Sequence, residues 1–403
     1  MGWYTLSEPF EQLLSQRTSA MQRNPIREIL RAVGQPGMIS LAGGIPAPES
    51  FPIEELYRIN EIVLDRYGAA ALQYDLTEGF APFREALAGY LAKKGIDAKP
   101  EQLLVFNGSQ SVLDTLGKVL ISPGDVIALE SPSYLGAISA FSSYQPEYVS
   151  IETDDDGIIP KSLERVLDQH AIKFVYLVTT FQNPTGSTLS LQRRHEIAAI
   201  VKERNALIVE DDPYSDLRYR GEALPPLQSF APENTVYAST LSKIFAPGLR
   251  LGFCLAPPLI SEWLYTAKQG ADLHSNTYAQ ALATEYICGG FIERQVPKII
   301  ELYRPRQEAM LAAMEQHFPP EYRWTKPEGG MFIWVEGPPG VDAEQVYWKA
   351  VERKVAFVPG KFFYINPDDG LATMRLNFTR ADEATIERAI AVLGKVLQEF
   401  GSD

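Results

Sequence analysis

From about residue 100 to residue 256 the sequence repeats one pattern that leaves few folds open: short, almost unbroken apolar runs alternate with stretches of helical period. The runs are "LLVF", "VIALE", "EYVSI", "FVYLV", "ALIVE", "TVYA" and "LGFCLA", and "RRHEIAAIVKERN" is typical of what separates them. A strand that is apolar on both faces must be covered on both faces, and crossover helices give a parallel sheet that cover. The pattern predicts an α/β domain, a mostly parallel seven-stranded sheet sandwiched by helices. After about residue 258 the chain turns helical, with "FIERQVPKIIELYRPRQEAMLAAMEQHF", then shorter strands at "MFIWVE", "VAFVP" and "TMRLNF", and a last helix "EATIERAIAVLGKVLQEF". This predicts a smaller α+β domain. The boundaries expected are an N-terminal arm over 1–50, the large domain over 51–290 and the small domain over 291–403. The arm, with the helical stretch "IREILRAV" and the turn "LAGGIPAPESFP", is too short to fold alone. It is expected to pack on the small domain or a second subunit.

Composition removes several classes of function. Lysine and arginine total 37 against 51 aspartates and glutamates, and a net charge of -14 opposes non-specific binding to nucleic acid or an anionic membrane. No stretch approaches about 18 uncharged apolar residues, and the start lacks a basic, then apolar leader, so a cytoplasmic protein is expected. Cys254 and Cys288 sit in apolar segments without CxxC spacing and read as buried, reduced thiols. The four histidines, His170, His195, His274 and His317, have no metal-binding spacing, and no metal is expected. The sequon-like triplets at Asn107 and Asn377 read as chance matches. The acidic run Asp154–Asp156 before Gly157 reads as a solvated turn rather than a calcium loop.

Ligands of open α/β sheets collect at the carboxyl ends of the strands, so the residues that follow the apolar runs carry the functional information. Gly108, Ser109 and Gln110 open a helix after "LLVF" and suit a phosphate, although for this feature in isolation an ordinary serine cap is the commoner reading. Tyr134 follows "VIALE", where stacking competes with plain packing, and Asn183 lies in "QNPTG", where turn chemistry competes with an amide aimed into a cleft. Asp211, with Tyr214 three residues on, follows "ALIVE"; a carboxylate there needs a cationic or protonated partner. Thr240, Ser242, Lys243 and Arg250 follow "TVYA". A buried lysine has a lowered pKa and becomes a nucleophilic amine able to form an imine. One cofactor accounts for all five strand ends. Pyridoxal phosphate brings an aldehyde for Lys243, a phosphate for Ser109, Gln110, Thr240, Ser242 and Arg250, and a ring nitrogen for Asp211. Asn183 and Tyr214 would hold its ring hydroxyl.

With those residues in place, the sequence resembles the fold-type I pyridoxal-phosphate aminotransferases of class I/II. The matching stretches are "SLAGGIP", which contains Gly43 and Gly44, "NPTG", "DDPY", "STLSKIFAPGLRLG", and "MRLNF" with Arg375. The spacings agree as well, 28 from Asn183 to Asp211 (211 − 183) and 32 from Asp211 to Lys243 (243 − 211). "GSQ", "LQY" and "KQGADLH" make it most similar to the branch of 2-aminoadipate, kynurenine and broad-range aromatic aminotransferases. Thr240 stands where serine is more usual, and the hydroxyl is kept.

The resemblance implies that Lys243 forms the imine and then moves the α-proton, that Asp211 keeps the ring nitrogen protonated, and that Tyr134 stacks on the ring. It implies that Arg375 clamps the α-carboxylate with help from Asn183, Gly43 and Gly44, and that Tyr74 reaches the phosphate of the neighbouring subunit in a homodimer. The partner substrate implied is 2-oxoglutarate, with 2-aminoadipate, an aromatic or an apolar amino acid as donor. Arg27 falls where an arginine can meet a distal carboxylate, and capping its own helix explains it equally. Asn24 replaces a small hydroxyl usual in the aminoadipate branch. The competing readings are a β-lyase or decarboxylase on the same lysine, and a pyridoxal-phosphate-binding regulator without its DNA-binding domain.

Overall fold

The computed structural model describes residues 10–21 and 34–400; Arg27 and Asn24 lie outside the described residues. The seven apolar runs form one sheet in the order Leu103–Phe106, Gly252–Leu255, Thr235–Thr240, Ile208–Asp211, Ile172–Leu177, Val126–Glu130, Glu147–Ile151. Every neighbouring pair is parallel except the two made by Gly252–Leu255, which runs antiparallel to both its partners. The reason is local. Leu241–Leu251 is a reverse turn, closed by the Leu241 amide donating to the Leu251 carbonyl at 3.1 Å, so no crossover helix intervenes. Four central strands are buried along most of their length, as their continuous apolar composition requires.

The sheet brings chemistry-bearing residues together because its strands end at one edge. Gly108, at φ 84° and ψ 161°, caps the helix Ser109–Leu120, so Ser109 is the first helical residue and not the cap. Asp211 is the last residue of its strand rather than the first of a loop, and Thr240 likewise ends its own strand.

The second layer is built on an antiparallel sheet in the order Arg323–Trp324, Phe332–Glu336, Thr373–Asn377, Val358–Pro359. The helix Glu383–Phe400 buries Ile386, Ala389, Ile390, Leu393, Val396 and Leu397, the 3-4 spacing of an apolar stripe, and packs against the long helix Phe291–His317. The stretch "VAFVP" is not one strand. It forms two short bridges, Val355–Ala356 and Val358–Pro359, separated by Phe357, whose ring packs on Tyr347. Ile39–Ser40 pairs in parallel with Val355–Ala356, and Leu41 exchanges backbone hydrogen bonds with Ala356 and Asn377, which draws residues 39–45 across the small sheet.

Another expectation fails. Cys254 is buried, but Cys288 is exposed, because it is the last residue of the helix Thr277–Cys288, beyond that helix's buried face. The acidic run forms the turn of a hairpin between Thr153–Asp154 and Gly157–Ile158. Among the described residues no helix is long and apolar enough to cross a membrane and no cluster suited to a metal ion occurs.

The closest backbone approach near the strand ends involves Gly252. A Cβ there would lie 2.4 Å from both the Gly108 carbonyl carbon and the Ser109 amide nitrogen. Neither is a flexible side-chain end that moves aside. Gly252→Ala is expected to destabilise the protein by about 1–3 kcal/mol, the usual cost of overpacking, in a denaturant melt. Gly248→Ala, which meets nothing within 4 Å, serves as the control and should melt with the wild type.

Candidate active site

One wall is an anion cup. Arg250, in the left-handed conformation at φ 53°, lays its guanidinium over Gly108, where a Cβ would meet Nη2 at 2.4 Å. The same Nη2 donates to the Asn107 carbonyl at 3.3 Å. Gly252 pairs with Thr240 in register and touches the Gly108–Ser109 turn, which sets the Thr240 and Ser242 hydroxyls, 2.9 Å apart, beside the helix start. A cation, hydroxyls and the positive end of a helix therefore face one space. Gln110 turns sideways, donating to the Gly136 carbonyl at 2.7 Å and accepting from the Tyr134 hydroxyl at 3.4 Å.

Asp211 is buried at the strand end next door. Tyr176 donates to its Oδ2 at 2.8 Å, while Oδ1 is buried with no partner among the described residues. Burial raises the carboxyl to about 7; the charge of Asp212 adds to this, and the Tyr176 bond and Lys243 oppose it. A carboxylate with one open, dry oxygen is an acceptor waiting for a protonated donor.

Lys243 lies across from it, its Nζ donating to the Gly44 carbonyl at 3.1 Å and standing 5.9 Å from the centre of the Tyr214 ring. Burial lowers the ammonium to about 8, with Arg375 and Arg250 pushing the same way and Asp211 against them. An amine in that range is partly neutral at physiological pH and nucleophilic.

Arg375 closes the site from the small sheet. It donates to Asn183 Oδ1 at 2.7 Å and to the Ala42 carbonyl at 2.8 Å, between the rings of Phe332 at 4.3 Å and Phe363 at 4.9 Å. Its Nε is buried without a partner, and no carboxylate of the described residues pairs with it. Burial brings its pKa down to about 10. A buried guanidinium left without an anion is costly, so the geometry asks for a carboxylate from outside. Gly44 makes room for this wall, since a Cβ there would meet Phe332 Cζ at 2.7 Å; nothing around Gly43 requires a glycine. Tyr214, buried, faces the Asn183 side chain, and burial holds its phenol far above the usual range. Burial likewise pushes Tyr134 up to about 12.

The structure thus gathers Ser109, Gln110, Tyr134, Asn183, Asp211, Tyr214, Thr240, Ser242, Lys243, Arg250, Arg375 and Gly44 around one cleft. Tyr74 stands apart: it is 78% exposed, with its ring edge-on to His274 at 5.6 Å. Sequence reasoning missed Tyr176, Phe332 and Phe363. Tyr176 carried a signal, a single polar tip in the otherwise apolar "FVYLV"; the two phenylalanines read as ordinary core.

An open carboxylate oxygen, an amine of lowered pKa and an anion cup are the features a phosphorylated pyridine aldehyde would fill, and the residues fit pyridoxal 5′-phosphate. The site and the two-layer fold define a pyridoxal-phosphate enzyme of the α/β class. The chain belongs to the aminotransferase class I and II family, whose model matches residues 65–393. It is 42% identical to the aromatic-amino-acid aminotransferase 1 of Thermococcus litoralis, over 97% of this chain and 95% of that protein. It is similar to the Pyrococcus horikoshii kynurenine aminotransferase solved with PMP, with 39% identity, TM-score 0.94 and coverage of 98% and 99% of the two chains. The Thermus thermophilus alpha-aminoadipate aminotransferase, solved with N-(5′-phosphopyridoxyl)-L-leucine, matches with 37% identity, TM-score 0.90 and the same coverage, 98% and 99%. The protein is an aminotransferase, and pyridoxal phosphate is its cofactor.

The raised carboxyl of Asp211 has a consequence for the cofactor-free protein. A group whose folded pKa lies above its unfolded value contributes stability that is complete below the unfolded value, near 4, and is lost as pH rises through the folded one, about 7. A displacement of about 3 pH units corresponds to about 4 kcal/mol. Apo Asp211→Asn should therefore gain stability over apo wild type as pH rises from 5, the gain levelling off above about 7. Melts of both proteins at a series of pH values check this, and a pH-independent difference would contradict it.

Proposed function

We propose that the enzyme transfers the amino group of a long acidic L-amino acid such as 2-aminoadipate, or of an aromatic or apolar one, to 2-oxoglutarate. The observation that carries the reading is Arg375, a buried guanidinium held in place by Asn183 and Ala42 and lacking a carboxylate. Donor and acceptor share an α-carboxylate, and two N–H groups in a fixed plane suit it. The names of the relatives support the donor classes, and the leucine adduct in an aminoadipate enzyme supports one pocket that takes both acidic and apolar side chains.

Bound pyridoxal phosphate supplies the electron sink for bond changes at the substrate's α-carbon. The chain's own residues do the rest. Arg375 and Asn183 hold the carboxylate and so fix which α-bond is aligned for cleavage. Lys243 Nζ takes the α-proton and returns it, a role its lowered pKa suits. Asp211 Oδ1 would accept the hydrogen bond of the ring nitrogen and keep that proton in place. Ser109, Gln110, Thr240, Ser242 and Arg250 would anchor the phosphate, Asn183 and Tyr214 the ring hydroxyl, and Tyr134 would cover a ring face. Arg27 is proposed to meet the distal carboxylate of acidic substrates.

A homodimer belongs to the same reading. Leu72, Tyr74 and Leu76 are 70%, 78% and 54% exposed, and the Tyr74 ring meets His274, the residue after Leu273, itself 49% exposed. Large apolar side chains exposed in one segment suit a protein partner, and a second copy would carry Tyr74 to the neighbouring phosphate cup.

Steady-state assay of 2-aminoadipate, kynurenine, phenylalanine, tyrosine and leucine with 2-oxoglutarate tests the substrates. Turnover with another oxo acid but none with 2-oxoglutarate would remove that acceptor. Arg375→Ala should lower kcat/KM for every donor by about 2–5 kcal/mol, the cost of truncating one side of a buried charge pair. A loss confined to acidic donors would move Arg375 to the side chain. Lys243→Ala and Tyr74→Ala homodimers should each be inactive or nearly so, and mixing them should restore part of the activity through sites that carry both residues. Heterodimers of confirmed composition without activity would place Tyr74 outside the neighbouring site.

A further inference from the structure

Behind Asp211, on the side away from the cleft, lies a hydrogen-bonded cluster that the reading above does not use. Its centre is Asp212, buried, whose Oδ2 accepts from the Tyr237 hydroxyl and from Ser215 Oγ, both at 2.7 Å. Ser215 Oγ in turn accepts from Lys94 Nζ at 2.7 Å, and Lys94 stands 4.0 Å from Asp212 Oδ2. Lys94 also donates to Asp216 Oδ2 at 2.6 Å, an oxygen shared with the Tyr90 hydroxyl at 2.6 Å. Its side chain is 14% exposed, and its ammonium is held above the usual range by those carboxylates against the effect of burial.

Two adjacent aspartates, both buried, end the same part of the sheet. Like charges so placed disfavour each other's ionisation, and the charge of Asp212 does raise the carboxyl of Asp211. Asp211 also faces Tyr176 and Lys243, and its charge is felt by Glu130, Tyr134 and Tyr214. Asp212 faces Tyr237, Ser215 and Lys94, with Glu210 and Arg194 acting from farther off. Lys94 is the one cation of that set in ion-pair range of Asp212 among the described residues. It comes from the turn after the helix Ala81–Ala92, outside every sheet strand.

We propose that Lys94 is a positioning residue for the reaction: by neutralising Asp212 it lets Asp211 carry the negative charge that holds a ring-nitrogen proton. Lys94 touches neither cofactor nor substrate and acts through Asp212. The inference rests on the assignment of Asp211 under the proposed function, but the coupling among Lys94, Asp212 and Asp211 can be read without the cofactor.

The measurement is the pH dependence of the apo-protein melting temperature, taken as the difference between each protein and its own Asp211→Asn counterpart. That difference falls as pH rises and levels off above the pKa of Asp211 in the folded state. Lys94→Met should move the levelling-off point upward by about one pH unit, the common size of a neighbouring charge's effect, and Lys94→Arg should restore it. Asp212→Asn, which keeps one acceptor oxygen for the Tyr237 and Ser215 hydroxyls and gives up only the bond from the Ser215 amide, should move it downward. Opposite shifts from removing the cation and the anion are a signature that loosened packing does not give. Shifts of the same sign, or none, would overturn the proposal. If Lys94→Met does not fold, Lys94→Gln takes its place with the same upward shift expected, and an unchanged point overturns the proposal. Failure of the assignment itself would look different, with reconstituted Asp211→Asn keeping the wild-type cofactor spectrum while the apo shifts remain.

Discussion

The site depends on ionisable groups that are drawn away from water and only partly compensated. Among the described residues Asp211 has a dry oxygen without a donor and Arg375 a dry Nε without an acceptor, and Lys243 has an ammonium destabilised by burial and by two guanidinium groups. Each arrangement costs folding free energy when the cleft is empty. The surrounding fold tolerates that cost because Asp211 and Arg375 sit on strands buried along their length and Lys243 follows one directly. The site is therefore less stable empty than filled, and binding recovers what folding gave up.

The two layers share the work unequally. The large sheet supplies Asp211 and Thr240 from paired strands, and Lys243 and the rest of the phosphate cup from the turns and the helix start at its strand ends. The small antiparallel sheet supplies Arg375 with Phe332 and Phe363 on either side. These meet at two points: Arg375 bonds Asn183, from the large sheet's loops, and Ala42, from the arm that pairs with Val355–Ala356 and is bonded by Asn377 of the small sheet. The carboxylate-binding group is thus positioned by three distant parts of the chain, so the arm is part of the site.

The large sheet was legible because its strands are apolar on both faces, a pattern with few other uses, and the strand-end rule then pointed at Asp211 and Lys243. What stayed hidden lies in relations between strands. The antiparallel course of Gly252–Leu255 depends on the turn Leu241–Leu251 closing on itself, which no period in the sequence encodes. Phe332 and Phe363 have the composition of core residues, and only their contact with Arg375 gives them another role. Lys94 resembles any surface lysine at the end of a helix until the fold brings it to Asp212. Cys288 was misread because an apolar neighbourhood in sequence does not say on which side of a helix its last residue falls.

The sheet order also governs when the phosphate cup can exist. Leu103–Phe106 is an edge strand whose sole sheet neighbour among the described residues is Gly252–Leu255, about 150 residues later, while the strands between them pair with one another over shorter separations. On a ribosome, the turn at Gly108 and Ser109 is made early and waits unpaired until Arg250 and Gly252 emerge. Loop closure over such a distance is slow, and an unpaired edge strand is exposed to wrong pairing while it waits. The cup that would anchor the cofactor is therefore complete only in a chain whose edge strand has docked, and a ligand held there stabilises the fully formed sheet over any state in which that strand is loose.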